Sequence, residues 1–167
     1  MEPCDLYLVR HAIAAERGDE WPDDGVRPLT AEGVSRFAES VKGLVWLGVQ
    51  IDEIFTSPLV RTRQTADLLA RGLGGTATIK TLDALAPGHE PRIVMAALSR
   101  AARRRRIGLV GHEPDLGALA AHLLGAPRAI PFKKGAVCMI SIQSLAGRRP
   151  GELGWLLPPK VLRRLQD

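Results

Sequence analysis

The stretch LYLVRHAIA, residues 6–14, runs four apolar residues straight into Arg10 and His11. A short apolar run of this kind reads as a buried strand, here over 5–10. Arginine and histidine resist burial. The strand therefore either meets the surface at that point or carries a working site at its tip. The pattern of the remaining chain bears on the choice.

Downstream, strand-like and helix-like segments alternate. After a polar loop, TAEGVSRFAESVKGLVWLG (30–48) reads as a helix, with Thr30 as N-cap and Glu32 in the first turn. Its expected apolar stripe is Val34, Phe37, Ala38, Val41, Leu44 and Val45. DEIFTS (52–57) is a second strand, and 57–74 a second helix with Ser57 as cap, Pro58 in the first turn and glycines at the end. TATIKTL (76–82) is strand-like; a third helix is expected over about 91–102. RIGLVGH (106–112) is a buried strand, followed by a helix that Gly125 closes. GAVCMISIQ and ELGWLLP read as a final strand pair, linked as a hairpin across SLAGRRPG (144–151). This alternation predicts one α/β domain over 1–167, a three-layer sandwich with a mostly parallel central sheet and helices on both faces.

Composition sets limits. Apolar residues make up 46% and charged residues 25%, the balance of a chain that can build a core. No apolar run approaches a membrane span, and the N-terminus lacks a signal-peptide pattern. Cys4 and Cys138 are isolated and make neither a metal-ligand pattern nor a disulfide framework. A cytoplasmic protein is expected. The 23 basic and 18 acidic residues give a net charge of +5. Aromatic residues are only 4% and no nucleic-acid motif occurs, so an anionic substrate accounts for the charge as well as a nucleic acid would. The run Arg103–Arg106 reads as a solvated helix end and loop, with a docking patch for an acidic partner as the alternative.

Ligands of such sheets bind beyond the carboxyl ends of the parallel strands. Three strands here end in polar groups: Arg10–His11, Thr56–Ser57 with Arg61 soon after, and Gly111–His112. Parallel strands put those tips on one edge. Arg61 and Arg63 also lie near a helix N-terminus, where a cation is disfavoured by roughly 0.3–1 kcal/mol. A bound anion reverses that sign, since free backbone N–H groups, the helix dipole and an arginine all favour a phosphate.

The residues LVRHA (8–12), SPLVRTRQTA (57–66) and VGHEP (110–114) resemble the histidine phosphatase superfamily, the group with phosphoglycerate mutase-like folds. VRPLTAEG (26–33) and LAPG (85–88) are similar, more narrowly, to the small bacterial SixA-type phosphohistidine phosphatases. The resemblance spans about residues 5–143 in the right order, with each of the three main motifs at a strand tip. It implies that His11 is the nucleophile that takes a phosphoryl group, and that Arg10, Arg61 and His112 bind its oxygens. It also implies hydrolysis through a phosphohistidine intermediate without metal or cofactor, because guanidinium forks take the electrostatic role of a metal.

Two departures stand out. Many members carry Gly after the nucleophile, where this chain has Ala12. Larger members place a glutamate proton donor after the third strand, about where this chain has Ala84. Asp83 and Asp24 are the candidate donors instead, and Asp24 also reads as a solvated acid of the loop GDEWPDDG. An alkoxide leaving group needs a proton in the transition state, whereas an imidazole is protonated more easily beforehand. The sequence thus leans towards phosphohistidine on a protein. Hydrolysis of a small phosphate ester such as a sugar phosphate, or a non-catalytic phosphate-binding module, are the alternatives. The expected partner is a phosphorylated protein or small phosphorylated substrate, with neither nucleic acid nor membrane. His89 reads as a loop residue and His122 as structural, Glu113 as a helix cap, Lys133–Lys134 as a solvated strand start, and PPKVLRRLQD (158–167) as a short surface helix.

Overall fold

The computed structural model describes residues 3–147 and 149–165. Six strands form one sheet: β1 (Cys4–Arg10), β2 (Glu53–Thr56), β3 (Thr78–Thr81), β4 (Arg106–Gly111), β5 (Val137–Ile142) and β6 (Glu152–Leu157), in the order β3-β2-β4-β1-β5-β6. β1, β2, β3 and β4 are mutually parallel, β5 pairs antiparallel with β1, and β6 pairs antiparallel with β5. The helices are α1 (Ala31–Trp46), α2 (Val60–Gly72), α3 (Pro91–Ala101), α4 (Asp115–Leu124) and α5 (Pro159–Leu162). Short 3-10 turns occupy Asp24–Val26 and Asp83–Leu85.

The period-two alternation of the strands sorts the core into two layers. Leu6 and Leu8 of β1, with Ile107 and Leu109 of β4, pack under Val94 and Leu98 of α3 and Leu116 and Leu119 of α4. Tyr7 and Val9 point to the opposite face, against Phe37, Val41 and Leu44 of α1 and Leu69 of α2. Burial of each such side chain contributes roughly 1.5–3 kcal/mol. Helices therefore cover both faces of the sheet, and the three-layer α/β expectation holds. The edge strand β3 is mostly exposed and carries Lys80, which blunts edge-to-edge pairing.

Local expectations hold unevenly. Thr30 does cap α1, accepting from the Gly33 N–H. Val34 and Val45 are exposed rather than part of the buried stripe, because the helix presents Phe37, Val41 and Leu44 to the sheet. Ser57 does not cap α2, which begins at Val60 without a side-chain cap; its hydroxyl is used elsewhere. The tail is not simply a surface helix. Leu162 of α5 is fully buried, and its carbonyl lies where a Cβ on Gly43 would sit, 2.0 Å away. Glycine is what lets α5 rest on α1 there. Gln166 and Asp167, at the end of that tail, lie outside the described residues. Of the Arg103–Arg106 run, Arg103, Arg104 and Arg105 are exposed between α3 and β4, while Arg106 begins β4 and pairs with Asp52 at 2.6 Å. Among the described residues no helix is long and apolar enough to cross a membrane.

Candidate active site

The three polar strand tips meet at one edge of the sheet. Arg10 is level with Gly111 in the β1–β4 register. The His11 N–H bonds Gly111 O, and the Ser57 N–H bonds Val110 O, each at 3.1 Å. Thr65 on α2 ties the edge to the helix above it: its hydroxyl accepts from the Ala12 N–H at 3.1 Å and donates to Arg61 O at 2.7 Å. Arg10, His11, Arg61 and His112 thus line a single cavity of about 340 Å³, together with Arg27, Glu113 and Lys134. The His11 and His112 rings lie 5.4 Å apart between centroids.

Hydrogen bonding fixes the state of both rings. Nδ1 of His11 lies 2.7 Å from Ala12 O, and a carbonyl can only accept. Nδ1 therefore carries the proton and Nε2 keeps its lone pair. Burial, then the charges of Arg61, Arg10 and Arg27, outweigh the help of that carbonyl and lower the His11 pKa to about 4. The ring is neutral at neutral pH. Nε2 of His112 lies 2.8 Å from the Ser57 hydroxyl. That hydroxyl accepts from the Leu59 N–H at 3.3 Å and has one hydrogen of its own to give to His112 Nε2. With Nε2 accepting from that hydroxyl, the single proton of the neutral His112 ring sits on Nδ1. Burial, followed by Arg61 and His11, lowers the His112 pKa to about 3.

The arginines are held by their outer nitrogens. Arg10 Nη1 donates to Phe132 O at 2.6 Å. Arg61 Nη1 donates to Asp24 O at 2.8 Å and Nη2 to Asp24 Oδ2 at 2.9 Å. Arg10 Nε, Arg61 Nε and His112 Nδ1 are buried without a partner. A buried donor left unmade is costly, about 1–3 kcal/mol each. Three of them around one cavity suit an oxyanion.

The candidate acids fall differently. Asp24 sits at the head of the arginine cluster, 3.0 Å from Arg27 Nε and 3.1 Å from Arg17 Nε besides its contact to Arg61. Partial burial would raise its pKa, but the hydrogen bonds and charges of Arg61 and Arg27 prevail and hold it below the usual carboxylate range. Asp83 opens the 3-10 turn with its side chain in solvent, outside the lining of the cavity. Ala84, its neighbour, lines a small void beside His112. Among the described residues no cluster of three or more His, Cys, Asp or Glu is placed to hold a metal.

Several contributing residues were not visible as such in the sequence. Ser57 hydrogen-bonds the His112 ring instead of capping a helix. Arg27 is 8% exposed and braces Asp24. Glu113 does take the Gly117 N–H at 2.8 Å, as a helix-capping acid should, but it also accepts from the Phe132 backbone. Phe132 in turn holds Arg10. Of the remaining histidines, His89 is half-buried with Nδ1 3.0 Å from Ala86 O, while His122 is exposed on α4 rather than packed inside.

Comparison with known proteins agrees with this geometry. The family model of the histidine phosphatase superfamily (branch 1) matches residues 6–87. An uncharacterized protein of Picosynechococcus sp. (strain PCC 7002) is 43% identical over 115 residues, 68% of each chain. The phosphohistidine phosphatase SixA of Escherichia coli K12 is 24% identical over 160 residues, 95% of this chain and 96% of its own. A solved structure of the protein histidine phosphatase SixA complexed with tungstate superposes with a TM-score of 0.81 at 25% identity, covering 95% of this chain and 99% of that one. With its motifs at three joined strand tips and these relatives along its length, the chain belongs to the histidine phosphatase superfamily and is of SixA type.

Proposed function

We propose that this phosphatase removes the phosphoryl group from phosphohistidine on a protein, with His11 as nucleophile and no metal ion or cofactor. The observation that carries the reading is the state of His11: neutral, with Nδ1 committed to Ala12 O and Nε2 bare, beside three unpartnered donors. The Nε2 lone pair forms a bond to phosphorus as the bond to the substrate nitrogen breaks. The substrate ring leaves as neutral imidazole when its other nitrogen is already protonated. Arg10, Arg61 and His112 hold the transferring oxygens. Water oxygen then attacks phosphorus, the Nε2–P electron pair returns to His11, and the water hydrogens leave on orthophosphate or pass to solvent. The bound tungstate of the SixA structure is an oxyanion of the same shape class, which supports an oxyanion here.

The leaving group follows from what surrounds the pocket. Asp24 is held ionised by Arg61 and Arg27, and Ala84 has no proton to give. We assign Asp24 to positioning Arg61 rather than to proton donation. An alkoxide would then depart without help from Asp24 or from position 84, while an imidazole needs none.

The test is to mix the enzyme with a protein carrying ³²P-phosphohistidine, quench in alkali within one turnover and map the label. Label on His11 is expected. Turnover without any labelled enzyme, or label on another residue, contradicts the mechanism.

A further inference from the structure

Beside the catalytic cavity lies a second groove of about 210 Å³, between α1, the turn 133–135 and α5. Its floor is apolar, with Phe37 and Val161, and its charged lining residues are all cationic, including Arg36, Lys133, Lys134 and Lys160. Glu32 pairs with Arg36 at 2.7 Å from outside that lining. The three lysines are exposed. Lys134 faces both the groove and the catalytic cavity, and Ala12, next to the nucleophile, lines the groove wall.

The turn is pinned to the catalytic strand. The Gly135 N–H bonds both Arg10 O and His11 O at 3.1 Å, and the Ala136 N–H closes the turn on Lys133 O at 2.9 Å. Gly135 takes φ +79°, a conformation suited to glycine. The backbone of Lys133 and Lys134 is therefore held in a fixed relation to His11. A strip of positive charge over an apolar floor, joined to a reaction site, complements an extended acidic segment with an apolar residue to seat.

We propose that this groove docks an acidic segment of the phosphoprotein substrate, so that charge beside the phosphohistidine selects the partner. The proposal rests on the phosphohistidine reading for its partner, but the groove can be tested without turnover. Two synthetic peptides of equal length carry one phosphohistidine, flanked by glutamates in one and by lysines in the other; phosphoramidate serves as the small substrate. At low salt the acidic peptide should show at least tenfold higher kcat/KM than the basic one, and the gap should close as salt is raised. The double variant Lys133→Glu, Lys160→Glu should lose that preference while turning over phosphoramidate at the native rate. Binding of the unphosphorylated acidic peptide, followed by fluorescence anisotropy, should weaken at least tenfold in the same variant. Equal kcat/KM for the two peptides, or unchanged binding in the variant, overturns the docking surface. Failure of every phosphoramidate substrate with peptide binding intact overturns the catalytic reading and leaves the groove standing.

Discussion

Two sides of the catalytic cavity are built to opposite ends. On one side Arg61 is clamped at both outer nitrogens by Asp24, which Arg27 and Arg17 brace in turn. On the other side the turn Asp83–Leu85 presents Ala84 inward and leaves Asp83 in solvent. Charge is concentrated where phosphoryl oxygens would lie, while the turn at Ala84 brings no carboxyl to the other side. In the proposed reading the contrast ties specificity to the leaving group: such a site would stabilise the transferring group and leave the departing one to its own chemistry.

The largest effect should come from removing His11, the proposed nucleophile. His11→Ala is expected to lower kcat by roughly 10⁴-fold or more, since binding alone remains. Steady-state phosphate release on a folded variant, verified by circular dichroism, measures this. Arg61→Ala should reduce kcat/KM by roughly 10²–10³-fold, the usual loss when one oxyanion donor disappears. An effect of Arg61→Ala below tenfold would mean that the clamped side does not bind the transferring group.

Asp24→Asn sharpens the comparison. It keeps the shape but loosens the clamp, so kcat/KM should fall roughly tenfold through misplacement of Arg61. The loss should be similar for phosphoramidate and for alkyl phosphates. A proton donor would instead show a much larger loss for the alkyl esters. On the bare side, Ala84→Glu should raise alkyl phosphate turnover by a few-fold relative to phosphoramidate, if the new carboxyl reaches the void beside His112.

The smallest expected effect is on stability. His11 and His112 have folded pKa values of about 4 and about 3, below the ordinary value near 6.5. The unfolded chain therefore binds more protons than the folded one once pH drops below about 6.5. These two rings should leave stability unaffected above that pH and lower it progressively towards about pH 3, where His112 is protonated in the folded state as well. A bound oxyanion raises the folded pKa values and narrows this window. Denaturant melts at pH 7 and pH 5, with and without tungstate, should show a smaller acid loss with the anion present.

How much of this was legible in the chain depended on distance along it. The joined strand tips could be read because each polar end directly follows its own apolar run, and parallel pairing then places them on one edge. Thr30 was readable for the same reason, since a cap acts on its own helix. Ser57 was misread as a cap because its true partner, His112, lies 55 residues away. The Asp24–Arg61 clamp spans 37 residues and exists only because the turn Asp24–Val26 folds over α2. The reach of Glu113 to Phe132, and of Gly135 back to His11, likewise belongs to the packed structure. The bare position at Ala84 was foreshadowed by a missing residue type, and the outward turn of Asp83 by the rule that neighbours in an extended segment point to opposite sides.

The contrast between the two sides is tested most directly by leaving-group preference. One preparation should be assayed against a phosphohistidine protein, phosphoramidate and a panel of sugar phosphates under the same conditions. The account predicts higher kcat/KM for both N–P substrates than for every alkyl phosphate. A sugar phosphate that matches or exceeds them would contradict it and require a proton donor at the pocket other than Asp24 and Asp83.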